Sequence, residues 1–430
     1  MGSSYVHNSQ NTAPAMIGVV DCNNFYVSCE RVFQPQLRGK AVAVLSNNDG
    51  CVITRSNEAK ALGVKMGVPY YQISDLKDAG QLEVLSSNYT LYGDMSARVM
   101  SILRQEVPRI EVYSIDEAFI DLEGISDVGA FGRQLSAKVE KWTGIPVSVG
   151  ISTTKTLAKA ASKFAKQYRG YLGCCVIDDE KKRLKALRLL DIGDVWGIGR
   201  HIVKDLRLAH VENAYDFTLW KRERIQRKYG AVLTRTWLEL KGKPCIAIES
   251  SVAKKSITTS RSFKDAITEY EVLEGLVADF AAHCARKLRE QKGNCSEVLV
   301  YIQTNRFEEK SKQYKNAIKV ELSIPTSDVR EIIKASVVGL KSIYRNGCAY
   351  KQAGVTISRI FNGVKPMDLF DTMNREKQER LLQSVDEIKH KYGHEAVGVA
   401  VQTDCSGAMN RKYVSRCYTT NLSEIITVKL

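Results

Sequence analysis

Ile110-Glu111-Val112-Tyr113-Ser114-Ile115-Asp116-Glu117-Ala118-Phe119-Ile120-Asp121-Leu122, residues 110–122, decides the fold. Two apolar, β-prone runs, Ile110–Tyr113 and Ala118–Leu122, flank Ser114-Ile115-Asp116-Glu117, a pattern that predicts a hairpin with two acids near its turn. Upstream, Ile17–Val20 is a short apolar run that ends at Asp21 and reads as a buried strand with an acid at its carboxyl end. Between the two, Leu91, Met95, Val99, Ile102 and Leu103 recur at helical spacing and predict an amphipathic helix over Tyr89–Glu106. Downstream come a helix over Phe131–Trp142, a strand at Val147–Ile151, an Ala- and Lys-rich helix over Thr154–Lys166 and a strand at Cys175–Ile177. The order β, α, ββ, α, β predicts a split βαβ sandwich, one antiparallel sheet with helices on one face. The stretch Gly39 to Asn88 reads as an insertion. It holds a strand at Ala41–Leu45, an Asn47-Asn48-Asp49-Gly50 turn, a strand at Cys51–Ile53 and a helix over Asn57–Leu62 that Ser56 can cap.

After Asp178 the character changes. Lys181–Leu190 is basic and amphipathic, Val195-Trp196-Gly197-Ile198-Gly199 opens a helix that bears Arg200, Lys204 and Arg207, and Arg222–Lys228 is a further basic cluster. Ser250–Ser260 is rich in Ser, Thr and Lys without core periodicity and reads as a linker. A separate α/β module follows, with a helix over Glu271–Gln291 and strands at Val298–Gln303, Ile318–Leu322 and Gly354–Arg359. From Phe361 onward regular patterning fades, apart from a helix over Arg375–His390.

At 430 residues the chain is too long for one core and predicts two to four domains. Lys plus Arg outnumber Asp plus Glu by 63 to 48, and a net charge of +15 on a globular chain points to a polyanion, nucleic acid before a membrane surface. No stretch reaches the ~18 apolar residues of a spanning helix. Residues 1–15 lack the apolar core of a secretory signal and read as a disordered leader. The 11 cysteines are odd in number and form no C-x-x-C pair, which favours free thiols in a reducing cytosol.

The chemistry-bearing residues fall into groups. Asp21, Asp116 and Glu117 would converge at one end of the sheet, where three carboxylates repel unless cations lie between them. Oxygen ligands of this kind suit Mg²⁺ or Mn²⁺, and a pair of such ions serves phosphoryl transfer. Each acid alone is more simply a surface residue; the apolar runs around all three argue otherwise. Phe25 and Tyr26 follow the first acid and can stack beneath a sugar or base, or lie in the core. Thr54, Lys60 and Lys166 are donors for triphosphate oxygens. Gly197 and Gly199, ahead of Arg200 and Lys204, present backbone N–H groups at a helix start, the pattern of a helix–hairpin–helix on a DNA backbone.

At this point the motifs resemble those of the Y-family DNA polymerases. Asp21-Cys22-Asn23-Asn24-Phe25-Tyr26 is similar to their first catalytic motif and Tyr113–Ala118 to their second. Pro146–Ser152 with Lys155 and Leu157-Ala158-Lys159 resembles their third palm segment, and Val195–Gly199 their thumb hairpin. Leu45–Ile53 and Ala59–Gly67 resemble the catalytic-subunit subgroup of bacterial DNA polymerase V, the UmuC-like proteins. The alternative within the family is a DNA polymerase IV-like enzyme that acts alone. Outside it stand a non-catalytic DNA-binding module and a two-metal nuclease.

The resemblance implies an α+β right-hand polymerase, with a ferredoxin-like palm at 16–38 and 89–180 and small fingers at 39–88. A helical thumb with a helix–hairpin–helix would occupy 181–249. A linker at 250–260, a separate α/β little finger at 261–360 and a partner-binding tail at 361–430 would follow. It implies two Mg²⁺ ions on Asp21, Asp116, Glu117 and the Cys22 carbonyl, Tyr26 as a steric gate against ribose, and Phe25 under the incoming nucleotide. Thr54, Lys60 and Lys166 would hold the triphosphate; Asn57 falls where many relatives carry tyrosine. Arg261 and Ser262 would meet the template backbone. Pro366-Met367-Asp368-Leu369-Phe370 resembles a sliding-clamp peptide with Met367, Leu369 and Phe370 as its contacts, Pro366 replacing the usual Gln. The implied activity is error-prone synthesis past template lesions in the SOS response, in the cytoplasm at the nucleoid. The implied partners are primer–template DNA, dNTP, a processed UmuD (UmuD′) dimer, RecA and the sliding clamp.

Overall fold

The computed structural model describes residues 15–249, 253–308, 312–363, 371, 373–393, 396–402 and 411–426. They divide into two compact units. The first takes the described parts of Met1–Leu45, Cys51–Ser251 and Tyr413–Leu430, the second those of Ser46–Gly50 and Val252–Lys412.

The first unit opens with β1 (Ile17–Cys22) and α1 (Phe25–Phe33). An inserted layer follows: β2 (Val42–Leu45), β3 (Val52–Arg55), α2 (Asn57–Ala61), α3 (Ser74–Asp78) and β4 (Glu83–Ser86). Ser56 caps α2, its hydroxyl accepting from Ala59 N–H at 3.2 Å. Next come α4 (Tyr89–Glu106), β5 (Ile110–Val112), β6 (Glu117–Asp121), α5 (Val128–Thr143), β7 (Val147–Ser152), α6 (Lys155–Gln167) and β8 (Cys174–Ile177). A helical region completes the unit: α7 (Glu180–Leu189), α8 (Arg200–Leu208), α9 (Ala214–Thr218) and α10 (Arg222–Leu240).

Among the described residues the main sheet runs β5-β6-β1-β7-β8 and the inserted sheet β3-β2-β4. The first four strands of the main sheet are antiparallel, but β8 lies parallel to β7, so the sheet is not wholly antiparallel as the sequence order suggested. Nor do helices cover one face only. Val20, Cys22, Ala118 and Ile120 face the core shared with α1, α4 and α5, while Val19 and Phe119, of opposite pleat parity, meet Ala158 of α6 on the other side.

Gly150 on β7 explains the second layer. A Cβ there would lie 2.0 Å from Ser162 N and 2.2 Å from the Ala158 carbonyl, so the helix reaches the sheet only because this position has no side chain. Helix α6 buries Leu157, Ala158, Ala160, Ala161, Phe164 and Ala165, and is capped by Thr154, whose Oγ1 accepts from Leu157 N–H. The wholly buried Glu239 of α10 accepts from the Thr156 N–H and hydroxyl and from the Cys245 and Ile246 N–H groups. That satisfies a carboxylate whose burial would otherwise be costly, and it ties the helical region to α6.

The second unit contains β9 (Ile257–Ile267), α11 (Tyr270–Glu290), β10 (Cys295–Thr304), β11 (Lys315–Thr326), α12 (Val329–Ile343), β12 (Tyr350–Ser358) and α13 (Arg375–Tyr392). Its antiparallel sheet runs β11-β10-β12-β9. Val298, Val300, Ile302, Val355 and Ile357 turn to α11 and α12, and the accessible face carries Thr258, Ser260, Ser262, Gln303, Gln352 and Thr356. Strand β9 takes Ile257–Ser260 out of the stretch read as linker; its two buried positions, Ile257 and Phe263, are too sparse to show a strand in the sequence. Helix α12 was also missed. Ion pairs of Arg289 with Asp386 (2.6 Å) and Arg375 with Glu331 (2.8 Å) hold α13 against α11 and α12.

Candidate active site

The antiparallel register of β1 and β6 places Asp21 directly opposite Glu117. Asp116 stands one residue before, and its carbonyl accepts from Cys22 N–H at 2.8 Å. Strands distant in the sequence therefore bring Asp21, Asp116 and Glu117 to one end of the main sheet. Each is half-buried, and each has its own donor. The Ser114 hydroxyl donates to Asp116 Oδ1 at 2.6 Å, Lys166 pairs with Asp21 at 2.5 Å, and Lys159 pairs with Glu117. Burial raises the Glu117 pKa, and the Lys159 ammonium opposes that shift.

The two lysines come from α6, so the helix on the second face supplies the positive charge that lets the acids sit together. Lys166 in its last turn also complements the helix dipole. Lys155, at the start of the same helix, is 1% exposed, pairs with Glu111 at 2.5 Å and lies 4.5 Å above the Phe119 ring. Among the described residues no three His, Cys, Asp or Glu side chains close around one point. The hydroxyl and the two ammonium groups draw the three carboxylates toward separate partners. The donor set nevertheless fits a hard divalent cation: three carboxylates and a backbone carbonyl, all oxygen. Burial pushes the Cys22 thiol up, and its side chain lies in the core with Val20.

Beside the acids, Tyr26 is half-buried. Its ring stacks on Tyr92 (4.4 Å, 13°) and meets Tyr89 edge-on (5.9 Å, 89°). Burial first, then Tyr89 and Asp116, push its phenol up to about 12. Phe25, 3% exposed, belongs to the core and packs beside Tyr26 (ring centroids 5.7 Å, 51°).

Lys60 donates to Asn24 Oδ1 (2.7 Å) and Asn57 Oδ1 (3.0 Å), which draws α2 to the turn after Asp21. Asn57, in the position where the resemblance puts a tyrosine, thus serves as a partner for this lysine. The Lys60 pKa is lowered by burial and then by Arg55 and Lys166. Three cations gather there, and the sequence reading missed Arg55. The alternation Ile53-Thr54-Arg55 at the end of a strand was the available signal. Among the described residues the buried Arg55 Nε has no hydrogen-bond partner. The Thr54 hydroxyl donates to the Ile53 carbonyl at 2.9 Å.

With this arrangement established, the comparisons with known proteins are specific. The impB/mucB/samB family matches residues 20–163, and its C-terminal domain matches residues 254–369. The chain belongs to this family. It is a UmuC-like Y-family DNA polymerase. Protein UmuC of Salmonella typhimurium is 40% identical over 425 residues, covering 96% of this chain and all of that one. Protein ImpB of the same species is 38% identical over 423 residues, with the same coverage. A solved Y-family DNA polymerase chimera of Dbh and Dpo4 shares the fold, with a TM-score of 0.66 at 21% identity over 81% of this chain and 100% of that one. Residues 379–428 match a domain of unknown function, DUF4113.

The remaining expected contacts of this polymerase fall in three places. Gly197 takes a positive φ of 89°, Gly199 precedes α8, and Arg200 and Lys204 are exposed on that helix. Trp196 fixes the hairpin: its indole N–H donates to the Tyr113 hydroxyl at 3.3 Å, and its ring packs on Phe119, beside the strands that carry the acids. Arg261 and Ser262 lie on opposite faces of β9, Arg261 over the Phe280 ring at 5.6 Å and Ser262 exposed. Met367, Leu369 and Phe370 lie outside the described residues. No described helix is long and apolar enough to cross a membrane.

Proposed function

We propose that this polymerase adds dNTPs to a primer 3′-hydroxyl opposite damaged template, as the error-prone translesion enzyme of an SOS response. The single observation that carries the reading is the pairing of Asp21 with Glu117 across β1 and β6, with Asp116 adjacent and the Tyr26 ring alongside. Two divalent ions of the Mg²⁺ class, held by Asp21, Asp116, Glu117 and the Cys22 carbonyl, would supply activation of the attacking hydroxyl and neutralisation of the leaving pyrophosphate. Lys159 and Lys166, no longer needed to neutralise the acids, are then placed to meet phosphate oxygens. Lys60, Thr54 and Arg55 complete a cationic rim for the triphosphate. The Tyr26 ring fills the space that a ribose 2′-hydroxyl would need. Gly197, Gly199, Arg200, Lys204 and the exposed Ser262 would follow the DNA backbone, which carries no base-specific information. Full-length similarity to UmuC supports work with a UmuD′ dimer, RecA and the sliding clamp in the cytoplasm, in preference to a DNA polymerase IV-like enzyme acting alone.

The deciding experiment is primer extension over an abasic site with Mg²⁺ and dNTPs, with and without UmuD′ and activated RecA. Extension past the lesion is expected, stronger with the partners. Bound DNA with no extension in any mixture would defeat the proposal.

Arg55→Ala is expected to raise KM for dNTP about tenfold with a smaller change in kcat, since a guanidinium–phosphate bond is charge-assisted. Steady-state single-nucleotide incorporation reads this. An unchanged KM would remove Arg55 from the rim.

A further inference from the structure

The segment from Tyr413 to Glu424, part of the region of unknown function, is built into the first unit. Tyr413 N–H donates to Ser86 Oγ at 2.9 Å, Ser86 N–H donates to the Tyr413 carbonyl at 3.0 Å, and the Tyr413 and Tyr70 hydroxyls lie 3.2 Å apart. Farther along, Tyr418 stacks on Phe33 at the end of α1 (4.8 Å, 9°). Between these anchors the segment meets Asn88, the N-cap of α4. Asn88 Oδ1 accepts from Leu91 N–H (3.2 Å). Its Nδ2 donates to the Ser415 carbonyl (3.1 Å), Ser415 Oγ (3.0 Å) and the Arg416 carbonyl (3.1 Å).

Ser415 also reaches Glu30, which is wholly buried. Glu30 Oε1 accepts from the Ser415 hydroxyl (2.9 Å) and the Tyr92 hydroxyl (2.7 Å), and Oε2 accepts from Gln34 Nε2 (3.2 Å). A buried carboxylate is tolerated only while such donors hold it. Glu30 and Tyr26 are four residues apart on α1 and so share one helix face. Both are directed at Tyr92: the carboxylate takes its hydroxyl, and the Tyr26 ring stacks on its ring. The C-terminal segment thus holds the cap of the helix that carries Tyr89 and Tyr92, and also the carboxylate that orients Tyr92.

We propose that Tyr413–Glu424 is a strap whose Ser415, acting through Glu30 and Tyr92, positions the Tyr26 ring and so sets how strictly the enzyme rejects ribonucleotides. The proposal rests on the reading of Tyr26 as the sugar gate. Ser415 is a positioning residue, remote from the reacting atoms. Its removal takes one of three donors from Glu30, loosens Tyr92 and lets the stacked ring yield to a 2′-hydroxyl.

The test uses the full chain and its Ser415→Ala and Ser415→Thr variants, with two readouts. Hydrogen exchange is followed in peptides that cover residues 89–96, and kcat/KM is measured for one dNTP and its matched rNTP. Ser415→Ala is expected to speed exchange in the first turns of α4 and to lower the dNTP-over-rNTP preference about tenfold, mainly through rNTP KM. Ser415→Thr, which keeps the hydroxyl, is expected to restore both. Unchanged exchange in Ser415→Ala overturns the strap. Faster exchange with unchanged preference overturns its link to the gate, and a Thr variant as impaired as Ala overturns the role of the hydroxyl. The exchange readout needs no catalysis, so it decides the strap even if the chain incorporates no nucleotide, a result that would instead count against the polymerase reading.

Discussion

Asp116→Asn is expected to end primer extension, with single-turnover incorporation falling on the order of 10³-fold or more, while DNA binding stays within a few-fold. The substitution keeps the side chain's shape. The amide oxygen can still accept from the Ser114 hydroxyl, and the backbone bond from Cys22 N–H to the residue 116 carbonyl is untouched. Only the negative charge disappears. If that charge is needed to hold a cation at the reacting phosphate, catalysis fails in an intact fold. Single-turnover incorporation and fluorescence anisotropy on one primer–template separate the two quantities. Incorporation within tenfold of the unsubstituted chain would mean that the acids are assigned wrongly.

Gly150→Ala should be the most damaging small substitution in the first unit. The new methyl would meet Ser162 N at 2.0 Å, the Ala158 carbonyl at 2.2 Å and Ser162 Cα at 2.6 Å. These are backbone atoms of α6, which cannot rotate out of the way as a side chain would. Overpacking of a core costs about 1–3 kcal/mol when side chains can adjust, and here about 3 kcal/mol or more is expected. That corresponds to a fall in melting midpoint of about 6–12 °C. Because α6 carries Lys159 and Lys166, activity should fall as well. Gly170→Ala, whose added methyl would have nothing within 4 Å, is the control. Equal melting of the two variants would show that the helix can lift from the sheet at little cost.

Much of the catalytic end was legible in the chain. A run such as Gly18-Val19-Val20-Asp21 and the hairpin around Asp116-Glu117 carry strong local signals, and an acid at the end of an apolar strand has little freedom in where it points. Lys60 and Lys166 read as phosphate donors even without the resemblance; Lys166 pairs with Asp21, and Lys60 bonds to Asn24 in the turn after it. Arg55 escaped because one arginine at a strand end is an ordinary surface residue until Lys60 and Lys166 gather beside it. Phe25 shows the complementary limit: an aromatic next to a motif reads equally well as a site ring or as core, and only the fold shows that it is buried.

Alone, then, the sequence determined most of the elements and their order, though not β9 or α12, together with the three acids and the basic, DNA-directed character of the chain, because hydrophobic period and turn chemistry are local properties. Tertiary structure decided what depends on contacts between distant residues. It set the register that puts Asp21 opposite Glu117 and placed α6 on the second face, where Gly150 admits it. It turned Ile257–Ser260 into part of an edge strand and laid Tyr413–Glu424 against Glu30 and Asn88. A pleat parity says that a residue faces inward, but not which helix it will meet there. That choice is made by packing, where the loss of a single Cβ or the satisfaction of one buried carboxylate decides between arrangements the sequence leaves open.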